Sequence, residues 1–196
     1  MIFIFLTIKA DNKIFIALVD TIDMTFSDSD KMYMRLALNE AKVALKRGDY
    51  PIGAVLVIDG MFVDKLGNHI NSNKDFVSHA ETLILHKNSA LLKDAYKTKG
   101  SNIVLYSTLE PCLMCLSTSI LSKVSRIVYS CRDPHGGATK LGLESLPGFY
   151  TRNFPKVEGG LFKEDSFDMM YNYMKDIDSA YWKRLTVMFK EMRDSW

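Results

Sequence analysis

Two of the chain's three cysteines stand three residues apart, directly after a proline. They are Cys112 and Cys115, within the stretch Leu-Glu-Pro-Cys-Leu-Met-Cys. Proline is favoured at the first position of a helix, so we expect a helix to begin at Pro111 and to place both thiols on one face of its first turn. Thiolates at such a position are stabilised by the helix dipole and by free backbone N–H groups. The pair is therefore suited either to a dithiol/disulfide cycle or to holding a metal ion.

The upstream sequence Ser-His-Ala-Glu at 78–81 supplies a further candidate ligand. His79 offers a neutral imidazole, so that His79, Cys112 and Cys115 together give three zinc ligands and leave a fourth position for water or hydroxide. Three protein ligands with one open position are typical of catalytic zinc rather than structural zinc. A redox Cys-x-x-Cys pair would belong to a thioredoxin-like βαβ unit, which the order of residues here does not indicate. A site for one zinc ion is the favoured interpretation.

Each of these residues also has an interpretation without catalysis. Ser78 and Glu81 fit a capping box, in which the glutamate only stabilises the start of a helix. Cys131 could complete a closed Cys₃His structural site. Taken together, however, His-x-Glu followed by Pro-Cys-x-x-Cys is the pattern of the zinc deaminases, in which the glutamate is not a ligand but moves protons. The combined pattern favours Glu81 as the catalytic residue.

Alternating and helical apolar patterns indicate the elements that must position these residues. Helical spacing over 33–47 follows the cap-rich Ser27-Asp28-Ser29-Asp30 and stops at Gly48. Asp59-Gly60 is a hairpin turn signal between two apolar runs. The order of elements predicts a three-layer α/β domain. The predicted elements after the first helix are strands at 52–58 and 61–63, a loop at 68–77, a helix at 78–86, a strand at 103–106, a helix at 111–122 and a strand at 126–130.

Apolar residues at helical spacing continue from Phe167 to Met192. Such a stripe of methionines and aromatic residues is more often core or subunit contact than a ligand surface. We therefore divide the chain into an N-terminal extension at 1–23, a zinc deaminase domain at 24–160 and a C-terminal helical segment at 161–196 that packs on the domain. The extension is either a β-hairpin, with a turn at 10–13, or an artefact of a misassigned start.

Composition sets further limits. The chain has 196 residues, 47% of them hydrophobic, which is enough for one full core. Three cysteines do not make a disulfide framework, and the N-terminal apolar runs are too short to span a bilayer and lack the basic residues of an export signal. We expect a cytoplasmic protein with no membrane contact. A net charge of +2 permits an anionic partner without demanding one.

With these motifs the sequence resembles the cytidine deaminase-like superfamily, and within it the bacterial tRNA adenosine deaminases. The similarity runs from Tyr33 to about Asp133, and more loosely to about Lys175. It implies an α/β/α fold with a mixed central sheet, and a homodimer. The matching stretches are Met34-Arg35-Leu36-Ala37-Leu38 with Glu40-Ala41, Tyr50 to Val57, His79-Ala80-Glu81, Thr108 to Cys115, and Arg132-Asp133.

The resemblance also implies roles for individual residues. Glu81 takes a proton from the attacking water and passes protons to the ring nitrogen and to the leaving amine. A second group of residues lines the base and ribose pocket, contributes its wall or faces a neighbouring nucleotide. That group consists of Ile52, Ala54, Asn68, Leu109, Glu110 and Asp133.

Several departures from the tRNA enzymes leave the substrate open. Leu116-Ser117-Thr118 after the second cysteine resembles free-purine deaminases, the loop at 133–138 with His135 differs, and the insertion at 146–155 has no counterpart that we can match. Our first hypothesis is adenosine-to-inosine deamination at the anticodon wobble position of tRNA, where an unstacked base is accessible. The second is a free nucleobase or nucleoside, of guanine or cytosine type. The third, of another class, is an inactive zinc-stabilised binding module.

Overall fold

Two short strands precede the main body of the protein. The computed structural model describes residues 6–10, 13–17, 26–98, 100–142, 144 and 146–196. Strands β1 (Leu6–Ala10) and β2 (Lys13–Ala17) pair antiparallel and form a two-stranded sheet of their own. They lie in the segment for which a hairpin and a misassigned start were the alternatives. The predicted turn residues Asp11 and Asn12 lie outside the described residues.

A five-stranded mixed sheet forms the centre of the molecule. Its spatial order is β4-β3-β5-β6-β7; the first three strands pair antiparallel, and β5, β6 and β7 pair parallel. This arrangement confirms the predicted α/β class with a mixed central sheet. The strands are β3 (Gly53–Ile58), β4 (Met61–Gly67), β5 (Ile103–Leu109), β6 (Arg126–Cys131) and β7 (Lys156–Gly159).

Helices cover both faces of this sheet. Side chains of β3 alternate between the two faces: Ala54 and Leu56 pack toward α3 and α5, whereas Val55 and Val57 pack toward α1. The predicted three-layer α/β/α architecture is therefore confirmed. The helices are α1 (Asp28–Arg47), α2 (Ile70–Asn73), α3 (Ala80–Lys87), α4 (Ser89–Lys97), α5 (Leu113–Leu121), α6 (Gly148–Arg152), α7 (Lys163–Lys175) and α8 (Ala180–Asp194).

The local start and stop signals of the sequence work as expected in α1 and in the first hairpin. Ser27 and Asp30 form a reciprocal capping box, and Gly48 ends the helix in the left-handed conformation at φ 91°. Asp59 and Gly60 have φ values of 52° and 78°, as a type I′ hairpin turn requires. These two devices set the ends of α1 and the registration of β3 with β4.

Other boundaries differ from the prediction. Helix α5 begins at Leu113, not at Pro111, because Cys112 is extended and pairs with Gly137 in an isolated β-bridge. The carbonyl of Pro111 accepts a hydrogen bond from Ala138 N at 3.0 Å, which holds the proline outside the helix. Elements α2, α4, α6 and β7 were not predicted at all.

The C-terminal apolar stripe is divided between α7 and α8 and belongs to the core. Phe167, Met170, Met174, Leu185 and Phe189 are buried in the same cluster as the apolar residues of the sheet. The interpretation of the stripe as core is confirmed for these buried residues, whereas Tyr181, at 47% exposed, lines the cavity described below. Among the helices of the described residues, none combines the length and the apolar character that crossing a membrane requires.

Candidate active site

The starts of two neighbouring helices bring the predicted metal ligands together. His79 is the N-cap residue of α3, Cys112 is the N-cap residue of α5, and Cys115 lies in the first turn of α5. The side chains of all three therefore lie beside backbone N–H groups that have no partner within the helix. Helix N-termini favour negative charge, so this position stabilises cysteine thiolates.

The separations of the three ligand atoms fit a zinc ion. His79 Nδ1 lies 3.4 Å from Cys115 Sγ and 3.7 Å from Cys112 Sγ, and the two sulfurs are 3.6 Å apart. In a tetrahedral site with Zn–S of about 2.3 Å and Zn–N of about 2.0–2.1 Å, such atoms stand about 3.5–3.8 Å from one another. These three are the group of potential ligands that the described residues bring within 4.8 Å of one another. The donor set of one nitrogen and two sulfurs is also one that zinc prefers.

Glu81 lies in the first turn of α3 and is 3% exposed. Ser107 Oγ donates a hydrogen bond to its Oε1 at 3.3 Å. The capping-box alternative for Glu81 is wrong, because the N-cap of α3 is His79 and no side chain caps it. Ser78 Oγ instead donates to Asp75 Oδ2 at 2.8 Å. The Glu81 carboxylate is thus not used to cap the helix, and it lines a cavity together with His79 and Cys112.

The titration of these groups is strongly coupled. A hydrogen bond from Cys115 lowers the pKa of the Cys112 thiol to about 4, with His79 adding to the shift, while burial opposes it. The hydrogen bond with Cys112 raises the pKa of the Cys115 thiol, and burial adds to this increase. Burial raises the pKa of Glu81 above its ordinary value. The Cys112 thiol is thus the one whose surroundings favour the thiolate form.

A cavity of about 420 Å³ opens beside the ligands. His79, Glu81 and Cys112 line its inner end. Of the residues that the resemblance assigned to the substrate pocket, four line this cavity, namely Ile52, Leu109, Glu110 and Asp133. Its size is in the range of small-molecule sites.

The other two assigned pocket residues, Ala54 and Asn68, do not line the cavity. Ala54 is fully buried in the core. Asn68 is also fully buried, but Ile52 and Ile70, to which it is hydrogen-bonded, both line the cavity. Its Oδ1 accepts from Ile70 N at 2.9 Å and its backbone N–H donates to Ile52 O at 2.8 Å. Among the residues that the structure describes, the Asn68 Nδ2 atom has no hydrogen-bond partner, although buried side-chain donors are normally paired.

Glu110 and Asp133 shape the loop after β6. The Glu110 carboxylate accepts hydrogen bonds from Asp133 N and Thr139 N, both at 3.1 Å. Asp133 Oδ1 in turn accepts from His135 N at 2.9 Å and from Gly136 N at 3.1 Å. Burial raises the pKa of Asp133. Both carboxylates therefore hold the loop that forms one wall of the cavity.

Sequence reasoning missed the outer wall of the cavity, which α7 and α8 supply. Trp182 contacts the rings of Tyr50, Tyr173 and Tyr181 edge-on, with centroid distances of 5.4, 5.7 and 5.2 Å. Tyr181 also meets the ring of His135 at 5.8 Å, so that the loop after β6 joins the same group. We call these five rings the aromatic cover. The available signal was the run of aromatic residues near 181, which the apolar stripe concealed.

Cys131 does not belong to the ligand cluster. Its Sγ contacts the carbonyl of Arg132 at 3.3 Å, and burial raises the pKa of the thiol to about 12. No closed Cys₃His site therefore forms among the residues that the structure describes. The cluster keeps an open side, which faces the cavity.

Comparison with known proteins gives the class of this site. Residues 27–131 match the model of the cytidine and deoxycytidylate deaminase zinc-binding region. The chain belongs to this deaminase family. Both the predicted superfamily and the predicted hydrolytic deaminase activity are thereby confirmed, and the His/Cys/Cys cluster is compatible with the zinc ion that this family region binds.

Individual relatives give finer detail. The tRNA-specific adenosine deaminase of Agrobacterium fabrum is 33% identical over 144 residues, 74% of this chain and 93% of the relative. A solved structure from studies of A-to-I editing by tRNA:A34 deaminases at the wobble position of transfer RNA is 34% identical, with a TM-score of 0.59, over 70% of this chain and 98% of that one. The guanine deaminase of Nitrosomonas europaea, at 20% identity and a TM-score of 0.59 over 73% and 83% of the two chains, shares the fold.

Proposed function

We propose that this protein deaminates adenosine to inosine in tRNA, at the wobble position of the anticodon. The observation that carries this proposal is the similarity to tRNA-specific adenosine deaminases across nearly their whole length, combined with a complete ligand cluster and a buried glutamate. The overall reaction consumes one water and releases one ammonia. The anticodon loop offers unstacked bases, which suits a pocket that takes in a single nucleotide.

Each residue of the site has a task in this reaction. His79, Cys112 and Cys115 would hold one zinc ion, with water at the fourth position. When bound, zinc lowers the pKa of that water, so that a nucleophile is available at neutral pH. The Glu81 carboxylate accepts one proton from the attacking water and delivers it to the ring nitrogen. It then accepts the second proton, from the hydroxyl added to the ring carbon, and delivers it to the amine, which leaves as ammonia while the carbonyl of inosine forms. Ser107 holds Glu81 in place through its hydrogen bond.

The walls of the cavity bind the base. Ile52 and Leu109 supply apolar contact. Asn68 lies behind Ile52 and Ile70, and its side-chain amide has no acceptor among the described residues. The loop held by Glu110 and Asp133 is the natural place for contact with a neighbouring nucleotide. Ala54 acts indirectly, through the position of strand β3.

Replacing Glu81 by glutamine tests the enzymatic part of the proposal. We expect Glu81→Gln to keep its zinc, measured by metal analysis, and to lose inosine formation by about 10²–10⁴-fold. Glu40→Gln is the matched control, because the half-buried Glu40 of α1 pairs with Lys65 at 2.9 Å and does not line the cavity. We expect this variant to deaminate at the wild-type rate. Zinc-loaded Glu81→Gln that deaminates at the wild-type rate would contradict the role of Glu81.

The aromatic cover favours a second candidate, a free nucleobase or nucleoside of guanine or cytosine type. Tyr181 and Trp182 enclose the outer side of the cavity, which suits a small substrate that is surrounded completely. Incubating the protein with tRNA that carries adenosine at the wobble position, and in parallel with free bases and nucleosides, separates the two. Inosine in the tRNA supports the first candidate, and ammonia from free guanine or cytosine with unchanged tRNA supports the second. Inactivity of the zinc-loaded protein on every substrate would support the third hypothesis, an inactive zinc-stabilised binding module.

We also propose a homodimer, a cytoplasmic location and the division of the chain at 23/24 and 160/161. Exposed apolar residues beside the site support the dimer: Phe76, Val77 and Leu113 are 90%, 57% and 58% exposed. The C-terminal stripe gives it little support, because Phe167, Met170, Met174, Leu185 and Met192 are buried within the chain. Free thiols in the site suit a reducing compartment. Light scattering at two concentrations measures the oligomeric state.

A further inference from the structure

A second cavity, of about 640 Å³, lies at the opposite end of the sheet from the active site. Ile103, where β5 begins, and Val124, which precedes β6, both line it. The metal ligands of α5 follow the other end of β5. Strand β5 has seven residues, and with a rise of about 3.3 Å per residue its two ends lie about 20 Å apart. The two cavities are therefore separate sites.

Three cations line this second cavity, which we call the basic cavity. They are Lys97, Lys123 and Arg152, and no aspartate or glutamate lines it among the residues that the structure describes. Lys97 is paired only with Asp94, at 2.7 Å and largely exposed on both sides, and such surface pairs are worth roughly 0–1 kcal/mol. The guanidinium of Arg152 forms no ion pair within the described part of the chain. Lys123 and Arg152 thus have no carboxylate partner within the described part of the chain, whereas Asp94 partly offsets the charge of Lys97.

The side chain of Lys123 is fixed by polar and aromatic contacts at the edge of the basic cavity. Its Nζ donates to Asn153 Oδ1 at 2.8 Å and stands 4.5 Å and 5.2 Å from the ring centroids of Phe149 and Tyr96. A lysine ammonium has three donors, so two remain for a ligand. Tyr96 is 60% exposed, which leaves aromatic surface beside the cations. Cations next to exposed rings are the combination with which proteins bind nucleotides in single strands.

One wall of the basic cavity comes from the insertion at 146–155, which we could not match to the family. Its helix α6 and the following residues supply Arg152, Asn153 and Phe154 to the lining. Hydroxyls of Thr98 and Ser101 line the facing wall. The insertion therefore builds a polar, positively charged cavity at a place that the deamination chemistry does not use.

We propose that the basic cavity binds the phosphate group of a nucleotide, with Lys97, Lys123 and Arg152 as the phosphate-binding residues. The phosphate belongs either to the backbone of an RNA or to a free mononucleotide. Charge-assisted hydrogen bonds from arginine and lysine are the strong interactions that phosphate makes with proteins. The proposal does not depend on which base the active site deaminates.

Binding measurements on full-length variants test this proposal. Titration calorimetry with AMP, and fluorescence anisotropy with a labelled anticodon stem-loop RNA, compare wild type with Lys97→Gln/Arg152→Gln. Both residues are exposed, so that the fold is retained. The control is Lys42→Gln/Lys46→Gln, which removes the same charge from exposed positions of α1. We expect the affinity for AMP or for RNA to fall at least fivefold in the first variant alone.

The two probes also identify the source of the phosphate. A loss confined to AMP identifies a free nucleotide, and a loss confined to RNA identifies the backbone of the nucleic acid. Adenosine, which lacks a phosphate, should bind wild type and variant equally. Affinities for AMP and RNA that change less than fivefold, or that fall equally in the control, would overturn the proposal. Turnover at saturating substrate reports separately on the active site, so failure here and failure of the deaminase assignment are distinguishable.

Discussion

Replacing Asn68 by alanine should lower kcat/KM for deamination while leaving the protein folded. Asn68 is fully buried, and its Oδ1 accepts a hydrogen bond from Ile70 N at 2.9 Å. Its Nδ2 has no hydrogen-bond partner in the described part of the chain. Ile52, which accepts from its backbone N–H, and Ile70, which donates to its side chain, both line the cavity. A substrate that accepts a hydrogen bond from Nδ2 would satisfy a donor that the folded protein leaves unpaired.

The size of the effect follows from that unpaired donor. A buried polar group without a partner costs about 1–3 kcal/mol, and a partner supplied by the substrate recovers this amount on binding. Since about 1.36 kcal/mol corresponds to a factor of ten, Asn68→Ala should lower kcat/KM by about 5- to 150-fold. The variant also loses the bond to Ile70 N, worth about 1 kcal/mol, but no longer buries an unpaired amide. We therefore expect the free energy of unfolding to change by less than about 1 kcal/mol.

Asn88 provides the matched control. Its Nδ2 donates to Ile84 O at 2.8 Å and to Asp64 Oδ2 at 3.0 Å, so that its amide is fully used within the protein. Asn88→Ala should lose stability and keep its kcat/KM, the opposite of Asn68→Ala. The assay is initial-rate ammonia release with the substrate that the panel identifies, together with urea unfolding. Asn68→Ala with kcat/KM within twofold of wild type would refute the reasoning.

Three further predictions concern the cover, the third thiol and a buried ion pair. Trp182→Ala removes three aromatic contacts from the cover, each worth about 0.5–1.5 kcal/mol, and should raise KM about tenfold or more in steady-state kinetics; an unchanged KM would show that the cover does not touch the substrate. Cys131→Ser should keep a full equivalent of zinc and its activity, whereas loss of zinc in metal analysis would restore the Cys₃His alternative. Burial alone would raise the pKa of the Asp30 carboxyl. Hydrogen bonds from Arg126, Tyr106 and Ser27 nevertheless hold this pKa well below its ordinary value. Because the folded-state pKa is lowered, this stabilisation is present above the unfolded pKa of about 4 and is lost as pH falls below it. Asp30→Asn should therefore destabilise the protein by about 3 kcal/mol at neutral pH and flatten the acid limb of the urea midpoint; an unchanged acid limb would contradict the assignment.

Short-range patterns in the sequence predicted the centre of the fold. Ser27 and Gly48 set the ends of α1 through local hydrogen bonds and a left-handed cap, and Asp59-Gly60 set the first hairpin, so these features depend only on nearby residues. The ligand cluster was predictable for a different reason. His79 and Cys112 both stand at helix starts, and the spacing of their motifs reflects what a zinc ion needs from two such starts.

Features that depend on distant contacts were not predictable. The start of α5 was misplaced because the bridge between Cys112 and Gly137 joins residues 25 positions apart, which local propensity does not report. The outer wall of the cavity was missed because Tyr181 and Trp182 reach the site only through the packing of α8 against α7. In both cases tertiary structure overrides what the local sequence favours.

The position of the aromatic cover in the chain has a consequence for the order of assembly. Synthesis proceeds from the N-terminus, so that all three zinc ligands exist once residue 115 has been made, whereas Trp182 follows 67 positions later. A partly synthesised chain can therefore form the ligand cluster between α3 and α5 before its cavity has an outer wall. We therefore expect a chain that ends before α8 to form the ligand cluster without Tyr181 and Trp182, at a site open to solvent.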